Sequence, residues 1–348
     1  LLFRLFTTVL IVLVFAGVIY DFGLFIRLFA LTYIMLALIL LILLIRTGQI
    51  HLTLRISRVT RKFSKKIIVL SSFMWSGSLI YYVANSFDLI VIAAVLPNGL
   101  AWAGIFTLAQ NVASLIQAPQ RGIIAASIGP LSRAWKDKDY GKIQRIYHRS
   151  SINQLLFACG IFVLIWINFT DGVTTFHMQS NYLQAQNVFL FLGLIRVIDM
   201  GTGLNAQIIG TSAFWRFEFI TGIIILAISL PLNYILAKKM GVVGPAIATL
   251  IAAFIYNTIR YFFLLRKFNM QPFNKQTIFT LLLALAGFYL SHLLFSEKHG
   301  IPGMMLRTVF FLVVYSGGAL LLKLSPDIIP VWNTLKKKIP IPYLRSRK

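Results

Sequence analysis

Apolar residues along this chain arrive in runs, not in alternation with polar ones. Ten runs follow one another, at 1–20, 24–45, 67–96, 100–128, 152–170, 183–209, 214–237, 242–265, 277–295 and 304–322. Most are about 20 residues long, and at about 1.5 Å per residue such a helix crosses the roughly 30 Å hydrocarbon layer of a bilayer. Barrel strands would be shorter and would alternate. The pattern predicts an all-α integral membrane protein with about ten transmembrane helices.

Within the runs the polar positions carry the information, because a polar side chain at membrane depth is costly and faces a bundle interior or a wet cavity. In the third run Ser71, Trp75, Ser78, Tyr82 and Asn85 recur at steps of 4, 3, 4 and 3, a single helical face that Asp88 extends. In the fourth, Thr107, Gln110, Ser114, Gln117 and Arg121 share a face, and Pro119 and Pro130 interrupt the backbone. Each stripe is expected to line a cavity, with hydrogen bonding between packed helices as the alternative. Arg196 and Asp199 stand mid-run, three residues apart and so neighbours on a helix. They read either as an ionisable pair in a transport path, Arg196 attracting an anion and Asp199 restraining it or exchanging a proton, or as a structural ion pair. Arg4, Glu218, Arg260 and Arg307 are expected to snorkel to the interface. Arg27 and Asp88 stay ambiguous, Asp88 because about 21 residues of helix separate it from the basic end of its run.

Charge then sets orientation. If successive runs alternate in direction, the connections at 46–66, 133–149, 210–216 and 266–276 and the tail from 323 share one side, and they are heavily basic. The first holds Arg46, Arg55, Arg58, Arg61, Lys62, Lys65 and Lys66 without an acid; the second adds six more bases. The opposite side holds only Asp21, Asp171, Lys238, Lys239, Glu297 and Lys298. This asymmetry predicts that the basic side is cytoplasmic, with Lys336, Lys337 and Lys338 near anionic headgroups or simply solvated. The outer connections are short, the longest at about 171–182, so no extracytoplasmic domain is expected in the chain. Composition agrees: 58% of the 348 residues are hydrophobic and 12% charged, where a soluble domain carries roughly a quarter charged. A net charge of +24 would suit nucleic acid, but the bases sit between membrane runs, so nucleic acid is not the expected partner.

Catalytic motifs are absent: no His-Glu-x-x-His helix, no nucleophile elbow and no phosphate-binding Gly-Lys-Ser/Thr loop occurs. His51, His148 and His299 fall in connections and Cys159 is alone, so no metal site, disulfide or cofactor is expected. The chain reads as a non-enzyme that would draw on an ion gradient or a partner subunit. It opens at Leu1 inside an apolar run lacking a signal-cleavage pattern, which suggests a fragment whose first helices are missing.

Two stretches carry a family likeness. Residues 87–139, from FDLIVIAAVLPNG to GPLSRAWKDKD, resemble the seventh and eighth helices of bacterial polysaccharide or oligosaccharide flippases of the multidrug/oligosaccharidyl-lipid/polysaccharide exporter superfamily. Residues 230–273, containing LPLNYILAKKMGVVGPAIAT, look like the eleventh and twelfth helices and the loop beyond. The small residues of GVVGPAIAT would let helices approach closely. The resemblance implies helices five to fourteen of a two-lobe, fourteen-helix fold. Residues 1–45 would be the last two helices of the first lobe, 46–66 the inter-lobe loop, 67–265 the six-helix second lobe, 266–322 two additional helices and 323–348 a basic tail.

Such a likeness implies alternating access in a bacterial inner membrane, with a polyprenyl-pyrophosphate-linked oligosaccharide as cargo and polysaccharide-assembly proteins as possible partners. Arg121 and Arg196 would receive the pyrophosphate. Gln110, Ser114, Gln117, Tyr82 and Asn85 would meet sugar hydroxyls, and Asp88 and Asp199 would couple transport to protons, sodium or membrane potential. The rivals are a drug or organic-cation exporter, which should gather acids in its cavity, a glycan polymerase or ligase, which should carry a large outer loop, and a scaffold subunit.

Overall fold

A computed structural model describes residues 2–48, 58–328 and 330. Arg55, His51 and Lys336 to Lys338 lie outside these residues, as do the side chains of Arg4, Lys66, Ser78 and Asn85. The described residues form helices joined by turns, and eight helical segments are long and apolar enough to cross a membrane. Shorter apolar segments occupy Leu5–Val14 and Ser86–Val95. The chain divides into two compact units, Leu1–Phe73 and Met74–Lys348.

In the first unit α1 (Leu2–Phe15) packs against α2 (Phe22–Arg46). Asp21 caps α2, its carboxylate accepting from the backbone N–H groups of Gly23 and Leu24 at 2.9 and 3.1 Å. Thr32 is the buried residue of α2; most of its remaining surface is apolar, with Arg27 and Arg46 exposed, as suits a helix in lipid. The unit also takes in the start of α3 (Arg58–Val95).

The second unit holds the end of α3 and then α4 (Gly99–Ser114), a 3₁₀ turn at Leu115–Gln117, α5 (Ala118–Lys136) and α6 (Tyr140–Thr175). There follow α7 (Ala185–Gly201), α8 (Asn205–Gly210), α9 (Trp215–Met240), α10 (Val243–Phe268), α11 (Lys275–Phe295) and α12 (Gly300–Leu321). Pro119, in the first turn of α5, lacks the N–H that would continue α4, which explains the 3₁₀ turn before it. The basic stretch 133–149, expected as a loop, is nearly all helix: α5 runs to Lys136, and Asp139 caps α6 by accepting from Lys142 N at 2.9 Å.

The 36-residue α6 is about 54 Å long, well beyond the hydrocarbon layer. Helices α5, α7, α11 and α12 pack on it, while α10 packs on α7 and α9. The largest core cluster joins α4, α6, α7 and α10 through residues such as Phe106, Ala109, Ile116 and Phe189. At Gly193 a Cβ would lie 2.5 Å from the Phe162 ring, so glycine is what lets α7 approach α6.

Two ion pairs join distant elements, and one corrects an expectation. Arg307 does not snorkel: it is buried and pairs with Asp171 of α6, itself buried and also 3.3 Å from His299 Nδ1. Arg149 pairs with Asp327 beyond α12, and Asn153 Nδ2 donates to the same carboxylate at 2.6 Å.

Candidate functional site

The second unit encloses a cavity of about 540 Å³ whose lining comes from α3, α5 and α7 to α10, within the size range of ordinary ligand sites. Its chemistry begins where α7 stops. Gly203 has φ +67°, and a Cβ there would meet Ser151 N at 3.0 Å, so the chain turns at Thr202–Leu204 and restarts as α8. The single run expected at 183–209 is therefore broken, and the break delivers Thr202 and Asn205 to a buried amide.

That amide is Asn257 of α10. Its Nδ2 donates to Asp199 Oδ1 at 2.7 Å and to Ala253 O at 3.0 Å; its Oδ1 accepts from Thr202 Oγ1 at 2.8 Å and Asn205 Nδ2 at 2.9 Å. Two donor hydrogens and two acceptor lone pairs are used, which leaves the group no freedom to turn. One helical turn on, Arg260 Nε donates to Glu218 Oε2 of α9 at 3.0 Å, with a second contact from its terminal nitrogen to Oε1. Tyr256 Oη donates to Glu218 Oε1 at 3.0 Å, and the guanidinium lies 3.5 Å over the Tyr256 ring. Glu218 and Arg260 were expected at the interface; they are instead a largely buried bidentate pair, satisfied by each other.

Arg196 and Asp199 both line the cavity but do not form an ion pair among the described residues; Asp199 Oδ1 accepts from Asn257 instead. Arg196 Nε is buried without a hydrogen-bond partner. Asp88 also lines the cavity and is buried; its Oδ2 accepts from Thr249 Oγ1 at 3.2 Å, while its Oδ1 and Asn233 Oδ1 have no partner. With Arg260 neutralised by Glu218, two carboxylates face one free arginine.

Of the described side chains in the two polar stripes, Asp88 alone comes to this cavity. α4 buries Ile105, Phe106, Ala109 and Ala113, and the 3₁₀ turn after it buries Ile116, while Gln110, Ser114 and Gln117 are half-buried and outside the lining. Arg121 is exposed, and its neighbour Gln120 lines the cavity instead. Ser114 Oγ donates to Asn111 O at 2.6 Å in its own helix. Among the described side chains of the α3 stripe Tyr82 is 69% exposed and only Asp88 reaches the lining; those of Ser78 and Asn85 lie outside the described residues. The missed residues had a signal: Thr249, Ala253, Tyr256, Asn257 and Arg260 fall on one face of α10 by the same spacing test.

A second cleft of about 290 Å³ opens between α6, α7, α10 and α11. Phe254, Tyr261, Phe273, Leu155 and Leu281 make it mostly apolar, and it shares Asn257 with the polar cavity. Among the described residues no three His, Cys, Asp or Glu side chains gather as a metal site.

No family model and no curated protein matches the chain. Among solved structures, a MOP superfamily transporter from Pyrococcus furiosus is similar at 14% identity and a TM-score of 0.42 over 70% of this chain. The chain spans 62% of that transporter's length.

Proposed function

We propose that the chain is part of a membrane transporter that moves a polyprenyl-pyrophosphate-linked oligosaccharide across a bacterial inner membrane by alternating access, with its basic connections cytoplasmic. The observation that carries this reading is the meeting of a polar cavity and an apolar cleft at Asn257. A cargo with a charged, hydroxylated head and an isoprenoid tail needs both surfaces. In this reading Arg196, with an unpartnered Nε, receives a phosphate oxygen, and the amides of the lining meet hydroxyls. Asp88 and Asp199 supply ion coupling, both carboxylates lying in the cavity lining.

A second reading is favoured by the two carboxylates: export of an organic cation, which would neutralise Asp88 and Asp199. Reconstituted vesicles separate the two. Flipping of a fluorescent lipid-linked glycan, lost in Arg196→Gln and insensitive to a cationic dye, supports the first. Dye transport lost in Asp199→Asn, with no glycan movement, replaces it with the second.

A further inference from the structure

The stretch 133–149 holds Arg133, Lys136, Lys138, Lys142, Arg145 and Arg149. Membrane orientation accounts for their charge but not for where their side chains go. Lys142, Arg145 and Arg149 are spaced by three and four on α6, and together with Ser127 of α5 and Ser150 and Asn153 of α6 they line a separate pocket of about 350 Å³. Arg149 and Asn153 are held by Asp327. Lys142 and Arg145 have no ion-pair partner among the described residues, so three cations face one carboxylate.

The hydroxyls add selectivity by what they lack. Ser127 donates to Ile123 O at 2.7 Å and Ser150 to Tyr147 O at 2.8 Å, so neither offers a hydrogen to a ligand and recognition rests on charge. Depth narrows the source. The apolar part of α6 begins near residue 152, which puts Arg149 about 4.5 Å and Lys142 about 15 Å along the helix beyond it. Those positions bracket the headgroup layer.

We propose that this pocket binds a phosphate group through Lys142 and Arg145, the point charge of the lysine and the fork of the arginine closing on its oxygens. The phosphate is that of an anionic lipid headgroup or a soluble phosphate, and the test tells them apart. The full chain in detergent is titrated with phosphatidylglycerol, phosphatidylcholine and inorganic phosphate, reading bound species by native mass spectrometry. The double variant Lys142→Gln/Arg145→Gln is compared with Arg133→Gln/Lys136→Gln, which removes the same charge from exposed positions that do not line the pocket. Phosphatidylglycerol is expected to bind in preference to phosphatidylcholine, with affinity falling about tenfold or more only in the first variant. Binding of inorganic phosphate with the same variant dependence, and no lipid preference, assigns a soluble ligand to the same pocket. Equal loss in both variants, or no loss in either, overturns the proposal.

Discussion

Asn257 shows how much one amide can organise. It holds Asp199, the end of α7 and the start of α8 together. Arg260 contributes differently. Replacing it by Gln strands Glu218 in a largely buried site, and the expected loss is about 3–5 kcal/mol of unfolding free energy in detergent. Glu218→Gln added to it should recover much of that loss; a single variant as stable as the parent would show that the pair is not buried in solution. These residues also mark what the sequence could and could not say. Arg196, Asp199 and Asp88, which line the cavity, stand out in the sequence because a charge inside an apolar run is conspicuous whatever surrounds it. Arg260 was misplaced because depth along a helix does not reveal a partner on the next one, and Glu218 lies 42 residues away.

At the scale of elements, the apolar runs identified the helices well, since length and hydropathy are properties of a single segment. Breaks inside a run were less legible. Pro119 announced the 3₁₀ turn at the end of α4, but the stop after α7 depends on Gly203 fitting against Ser151 of α6, a contact between segments. Gly203→Ala should test that stop. A left-handed φ together with a crowded Cβ is expected to cost about 1–3 kcal/mol, and the loss should appear in thermal unfolding alongside weaker ligand binding in the cavity. The α4 stripe failed for a related reason. Its spacing assumes an unbroken α-helix, whereas Gln117 falls in the 3₁₀ turn, and a helical wheel carries no information about which neighbour a face meets. α7 took the apolar one, through Phe106 and Ala109.

At the scale of the molecule, the two long-range ion pairs act under different conditions. The Arg149 guanidinium, with help from the Asn153 amide, holds the Asp327 carboxyl below the usual carboxylate range. A depressed folded-state value means that the pair stabilises the chain above the ordinary carboxylate pKa and that this contribution disappears as pH falls through the folded value. Asp327→Asn should therefore lower stability at neutral pH, by less than about 1 kcal/mol because both partners are partly exposed, and the difference from the parent should vanish in strong acid. A difference that grew on acidification would contradict this sign. The Asp171–Arg307 pair is buried, and its halves lie 136 residues apart. During synthesis the carboxylate thus emerges long before its counter-ion. Burying the Asp171 charge therefore waits on α12, and a chain stopped short of Arg307 would leave that carboxylate without its guanidinium.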